Sequence, residues 1–188
     1  MSEPRDAVPG WFDYGHLYNR LVDEAPPGST LVEVGVYHGK SLRHLAHRAK
    51  AADKGLLVVG VDWGRGSPEH GNEAALLPAG NLAGIQLRTL LTAGVADDCL
   101  LLTGPSVLAA RLVADGSCHA VFLDADHSKR GVLADIEAWR PKVRAGGVLC
   151  GHDWLTFPGV KDAVCEAFGR HNWVSPDAPS CWEVKVDG

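Results

Sequence analysis

The chain has 188 residues, 46% hydrophobic and 22% charged, with a formal net charge of −5. That length and composition fit one soluble globular domain with its own core and exclude a disordered chain. The absence of a basic block argues against a nucleic-acid surface, and no apolar run approaches a membrane span. The opening MSEPRDAVPG lacks the charged-then-apolar pattern of a secretory leader. Five cysteines are an odd number with no C-x-x-C, and several sit in apolar runs. They read as free thiols in a reducing cytoplasm.

Taken in chain order, residues 1–28 form an N-terminal helical segment, with a helix over Asp13–Glu24 that APPG ends. Tyr14, Leu17, Tyr18 and Leu21 share one face, which reads as a docking surface. A strand at Thr30–Val36 runs into a glycine-bearing turn and a helix at Ser41–Lys50, striped by Leu42, Leu45, Ala46 and Ala49. The strand Leu56–Asp62 leads into a long loop, 63–80, predicted to act as a lid. Then come a helix at Asn81–Ala93, a strand at Cys99–Thr103, a helix at Ser106–Ala114 and a strand at Ala120–Asp124. Ser128 is placed close to the N-cap of a helix over Ser128–Arg140. A strand at Gly147–Gly151, a helix at Gly159–Phe168 and a strand at Cys181–Val186 close the list. Alternating strands and helices, with near-continuously apolar strands, predict an α/β, doubly wound, mostly parallel sheet with helices on both faces.

Ligands of such sheets sit beyond the carboxyl ends of the strands. Polar clusters end five of them: Glu33 to Gly39, Asp62-Trp63, Gly104 to Ser106, Asp124 to His127, and His152 to Trp154. In EVGVYHGKS (residues 33–41), Gly35 and Gly39 bracket a turn into a helix. The dinucleotide fingerprint begun at Gly35 would need glycine at Tyr37 and Lys40. Glu33, read as lying at the mouth of the loop, adds negative charge where a pyrophosphate would be repelled. A phosphate-free ligand with a positive centre fits better, and S-adenosylmethionine is one. Asp62 could accept both ribose hydroxyls of S-adenosylmethionine or of NAD, or could cap a turn. Asp124 and Asp126 could likewise cap the next helix, and Trp139, Phe168 and Trp182 read as core.

The combination of VFLDADHSKRG, AGGVLCGHDW, EVGVYHGKS and VGVDWG resembles class I S-adenosylmethionine-dependent methyltransferases. More narrowly it is similar to their small bacterial branch, which includes metal-dependent catechol-type and macrolide-sugar O-methyltransferases. The resemblance runs from about Trp11 to Val186 and implies a Rossmann-like seven-stranded sheet. By position it implies that Glu33, Gly35, Val36, Tyr37, Gly39 and Ser41, with Asp124, line the methionine side of the cofactor. Asp62 and Trp63 would hold ribose and adenine, with Ser106 on the adenine side. Asp124 and Asp153 would bind a divalent cation, Mg²⁺ or Mn²⁺, and His127 would be the base. With an unperturbed pKa near 6.5, an imidazole can take a hydroxyl proton at neutral pH.

Two positions depart from the pattern. Trp154 stands where catechol-type relatives often carry Asn, and His152 where sugar-type relatives carry an acid. His152 could restore a ligand and shift preference towards Mn²⁺, Fe²⁺ or Zn²⁺, or could carry the proton in a site without a metal. The expected function is methylation of a small molecule, on oxygen first. The rivals are an NAD(P)-dependent oxidoreductase and a non-catalytic adenosyl-binding module. The acceptor and the oligomeric state are open, a homodimer among the options.

Overall fold

A computed structural model of the chain describes residues 8–66 and 82–187. The predicted lid falls mostly outside the described residues. Helix α1 spans Gly15–Glu24, and strand β1, Thr30–Val34, is followed by α2, Lys40–Ala51. Then come β2, Leu57–Asp62, α3, Leu82–Ala93, and β3, Cys99–Thr103. Helix α4, Ser106–Ala109, continues as a 3₁₀ turn over Ala110–Leu112, short of the predicted Ala114. The rest is β4, Cys118–Leu123, α5, Lys129–Trp139, β5, Val143–Gly151, α6, Pro158–Phe168, and β6, Trp182–Lys185.

Both strand parities are apolar because both faces of the sheet are covered. Leu31, Val58, Ala120 and Phe122 pack under α1, α2 and α3 with Leu17, Tyr18, Leu42, Leu45 and Leu90. Val32, Val34, Val59, Val121 and Leu149 pack on the other side with Val132, Ile136, Trp139, Val160 and Val164. Trp139 and Trp182 are core, as predicted.

The sheet runs β3-β2-β1-β4-β5-β6. Its first five strands are parallel, and β6 is antiparallel to β5. Among the described residues this makes six strands, which corrects the expected seven. The segment between α6 and β6 makes one antiparallel bridge, Val174 to Trp182, and goes no further. After Ser175, whose amide still donates to the Cys181 carbonyl, come Pro176 and Pro179, and proline cannot donate to a ladder.

The winding moves outwards from β1 through β2 to β3, then returns to the other side of β1 with β4. The topological switch point therefore lies between β1 and β4, where ligands of such sheets bind. There the Gly35 amide donates to the Val61 carbonyl and the Asp124 amide to the Val34 carbonyl, at 2.8 and 2.7 Å. A side chain at Gly35, whose φ is +93°, would place its Cβ 1.9 Å from the Asp124 carbonyl oxygen. Only glycine lets the two loops touch.

Candidate functional site

The loop after β1 is held from below and from both sides. Glu33, at 0% exposure, lies under the loop rather than at its mouth. It shares the α1/α2 face of β1 with Leu31, as the period-two alternation requires. The Tyr18 hydroxyl donates to its Oε2 at 2.8 Å and the Ser41 hydroxyl to its Oε1 at 2.7 Å. Burial pushes the carboxyl up to about 8, and the charges of Asp124 and Asp62 add to this, against the opposing effect of the two hydrogen bonds.

Asp62 braces the same loop. Its Oδ2 accepts the amides of Val36 and Tyr37, both at 2.9 Å, and its Oδ1 accepts Gly64 at 2.7 Å. Of the roughly four lone-pair sites of a carboxylate, one remains for a ligand. Tyr37 has a left-handed φ of 50°, its carbonyl accepts from Gln86, and Trp11 stacks on its ring. Gly39, the N-cap of α2, has a φ of 84°. The exposed Trp63 donates its indole N–H to the Gly66 carbonyl. Ser106 donates its hydroxyl to Asp135 at 2.5 Å and accepts the Trp139 indole N–H at 2.8 Å. That hydroxyl thus joins α4 to α5.

Beyond β4 and β5 the structure brings Asp124, His127, His152 and Asp153 together. The Nε2 of His127 lies 3.0 Å from Asp153 Oδ2 and 3.5 Å from Asp124 Oδ1. The Nδ1 of His152 faces the same two oxygens, at 3.3 and 3.7 Å. His127 is clamped by a ring stack on Phe157, with centroids 4.4 Å apart. Asp153 adopts a left-handed φ of 63°. Asp126, by contrast, accepts the Ser128 amide, and Ser128 accepts Gly131 as the N-cap of α5. Trp154 is buried in the core and takes no part in the cluster.

Electrostatically the cluster is two carboxylates sharing two imidazoles. For His127, burial opposes charge, but the bonds to Asp124 and Asp153 and their negative charges outweigh it and raise the ring to about 10. The expected value near 6.5 is therefore not that of the folded protein. His152 is raised for the same reasons, burial again opposing. Asp153 is held well below the usual carboxylate range: burial works against this, but hydrogen bonds and charge from both histidines prevail.

One oxygen each of Asp124 and Asp153 and one nitrogen of His152 all lie within 4.8 Å of one another. Bonds of about 2.0–2.2 Å at tetrahedral angles require donor separations of roughly 3.3–3.6 Å, close to the observed 3.3 and 3.7 Å. The donor set fits a divalent cation. Two oxygens and an imidazole suit Mn²⁺, Fe²⁺ or Zn²⁺ better than Mg²⁺.

Three partners of this cluster are ones to which sequence reasoning assigned no part in it. Tyr14, fully buried, donates its hydroxyl to Asp124 Oδ2 at 3.3 Å. Asp13 Oδ1 lies 3.2 Å from His152 Nε2 and accepts the Ser180 hydroxyl at 2.8 Å. The α1 face read as a docking surface thus also delivers phenols to two carboxylates. Asp13 and Tyr14, polar groups at the start of an amphipathic helix, were a usable signal; Ser180 offered none.

The chain matches a family model described as a methyltransferase domain over residues 32–154. Among solved structures, the O-methyltransferase NovP is similar at a TM-score of 0.71 and 18% identity, over 93% of this chain and 79% of that one. The O-methyltransferase from Bacillus cereus in complex with SAH gives 0.63 and 20% identity, over 90% and 74%. Cofactor-bound Rv0187 from MTB gives 0.66 and 21%, over 97% and 83%. At these identities the likeness is one of fold. No curated protein matches. The family match covers all five strand-end clusters and the switch point among them, and the chain belongs to the class I S-adenosylmethionine-dependent methyltransferases.

Proposed function

We propose that this methyltransferase acts on a hydroxyl oxygen of a small molecule, assisted by a divalent cation. The observation that carries the reading is the convergence of Asp124, His152 and Asp153 beside the loop after β1. Gly35, Val36, Tyr37, Gly39 and Ser41, with Asp124, border the methionine end, while Asp62, Trp63 and Ser106 stand towards ribose and adenine. When bound, the cation would lower the pKa of a coordinated hydroxyl and orient it.

The chain's own residues do the rest. Methyl transfer from a sulfonium is an in-line displacement whose leaving group needs no acid, so the demand falls on the acceptor oxygen. Asp124 and Asp153, with His152, would hold the cation beside the methyl position, so that an acceptor oxygen bound there meets the methyl group already placed. His127 holds a proton because two carboxylates face it. With a cation held by the same carboxylates, His127 would give up that proton, and its Nε2 would then be the group placed to accept the proton of the hydroxyl. The match to the methyltransferase family sets aside the NAD(P)-dependent oxidoreductase. The absence of disulfides among the described cysteines fits a cytoplasmic setting. No described helix is long and apolar enough to cross a membrane.

The test is turnover of S-adenosylmethionine against a panel of phenolic, sugar and amine acceptors, with and without chelator. Hydroxyl acceptors should dominate, and chelation should abolish turnover until Mn²⁺ is restored. Chelator-insensitive turnover would sink the cation; preference for amines would sink the oxygen.

A further inference from the structure

Asp13 and Tyr14 are consecutive, lie outside the segment matched by the family model, and each reaches a different candidate ligand from behind. One oxygen of Asp124 faces the two imidazoles; the other receives the Tyr14 hydroxyl. One nitrogen of His152 faces the two carboxylates; the other faces Asp13. The two groups are held differently. The Tyr14 ring is fully buried between Phe122 and Tyr18, at centroid distances of 4.6 and 5.1 Å. Burial, with the charge of Asp124, keeps its hydroxyl protonated and hence a donor. Asp13, largely exposed, is held at the same Oδ1 that faces His152 by the Ser180 hydroxyl.

A histidine ligates through one nitrogen only if the other carries the proton, and a carboxylate behind the ring both fixes that tautomer and raises the basicity of the ligating nitrogen. A carboxylate ligand similarly needs its spare oxygen anchored. We propose that Asp13 and Tyr14 are positioning residues for the cation centre, Asp13 through the Nε2–H of His152 and Tyr14 through Oδ2 of Asp124. This rests on the cation reading given under Proposed function. The N-terminal segment thereby completes the centre that the strand ends begin.

The test is calorimetric titration of Mn²⁺, alongside S-adenosylmethionine, into the wild type, Tyr14→Phe, Asp13→Ala and Asp13→Asn, with melting temperatures recorded. Partners of this kind typically cost 10- to 100-fold in metal affinity, so Tyr14→Phe and Asp13→Ala should each weaken Mn²⁺ by about tenfold or more while cofactor affinity stays within about twofold. Asp13→Asn, which keeps an acceptor oxygen, should bind Mn²⁺ more tightly than Asp13→Ala. Wild-type Mn²⁺ affinity in Tyr14→Phe and Asp13→Ala overturns the proposal, as does an equal loss of Mn²⁺ and cofactor binding, the mark of a general structural defect. A wild type that binds none of Mn²⁺, Mg²⁺ or Zn²⁺ overturns the cation reading and this proposal with it, which separates the two failures.

Discussion

Glu33→Gln should remove one defined component of the protein's pH-dependent stability. Burial lifts the Glu33 carboxyl from 4.5 to about 8. Between those values the folded chain holds a proton that the unfolded chain has lost, so stability falls as pH rises through that window. The slope from one such group approaches about 1.4 kcal/mol per pH unit, or roughly 4–5 kcal/mol across the whole interval. Its contribution is complete below about pH 4.5 and spent above about pH 8. Solvent screening does not reduce it, because the side chain is wholly enclosed. Glutamine keeps the volume and still offers groups to Tyr18 and Ser41, but cannot ionise. Urea denaturation of both proteins at intervals from about pH 5 to pH 8.5 gives the difference curve. His127 also contributes, its stabilising charge being lost as pH rises from 6.5 towards about 10, but it does so in both proteins and cancels. Parallel curves for wild type and Glu33→Gln would refute the argument, since an ordinary surface-like carboxyl leaves no such difference.

Gly35→Ala should prevent the loop after β1 from seating, because the new Cβ meets a carbonyl oxygen at 1.9 Å in a left-handed conformation. The expected loss is several kcal/mol, on the scale of severe backbone clashes, and isothermal titration should find no cofactor binding. Cofactor binding of wild-type strength would contradict the contact. Because His127 holds a proton up to about pH 10, Mn²⁺ binding at pH 7 should release about one proton through this group. Calorimetry in buffers of different ionisation enthalpy should show less release in His127→Asn; equal release would place the proton elsewhere.

Much of this arrangement was legible because it depends on local periodicity. The strand cores, the stripe on α6 and the Ser128 cap follow from spacing alone, and the β1–β4 switch point follows from the order of the elements. What escaped depends on direction or on distance along the chain. Glu33 was placed at a mouth although its parity with Leu31 puts it on the α1/α2 face. Ser106 follows a strand, which spacing shows, but the bonds of its hydroxyl to Asp135 and Trp139 on α5 lie beyond any local pattern. The seventh strand was expected from resemblance and is cut short by two prolines. The raised pKa of His127 was only half legible: Asp124 stands three residues before it, but Asp153, its second partner, comes from another strand end. Likewise Tyr14 and Asp124 are 110 positions apart, and Asp13 and His152 are 139 apart. No window of the sequence contains either pair.

The hydrogen bond from Ser180 to Asp13 joins residues 167 positions apart, and Ser180 also accepts the Trp154 amide on its carbonyl. On the ribosome, at roughly 5–20 residues per second, β1, β2 and their helices can dock long before residue 180 is made. Asp13 and His152 must wait for it. The centre is therefore among the last parts of the molecule to be assembled, and a chain stalled shortly before β6 would carry the cofactor loop while lacking the clamp behind His152. Closing so long a loop also slows folding, so the contacts behind His152 form late, together with the pairing of β6 on β5.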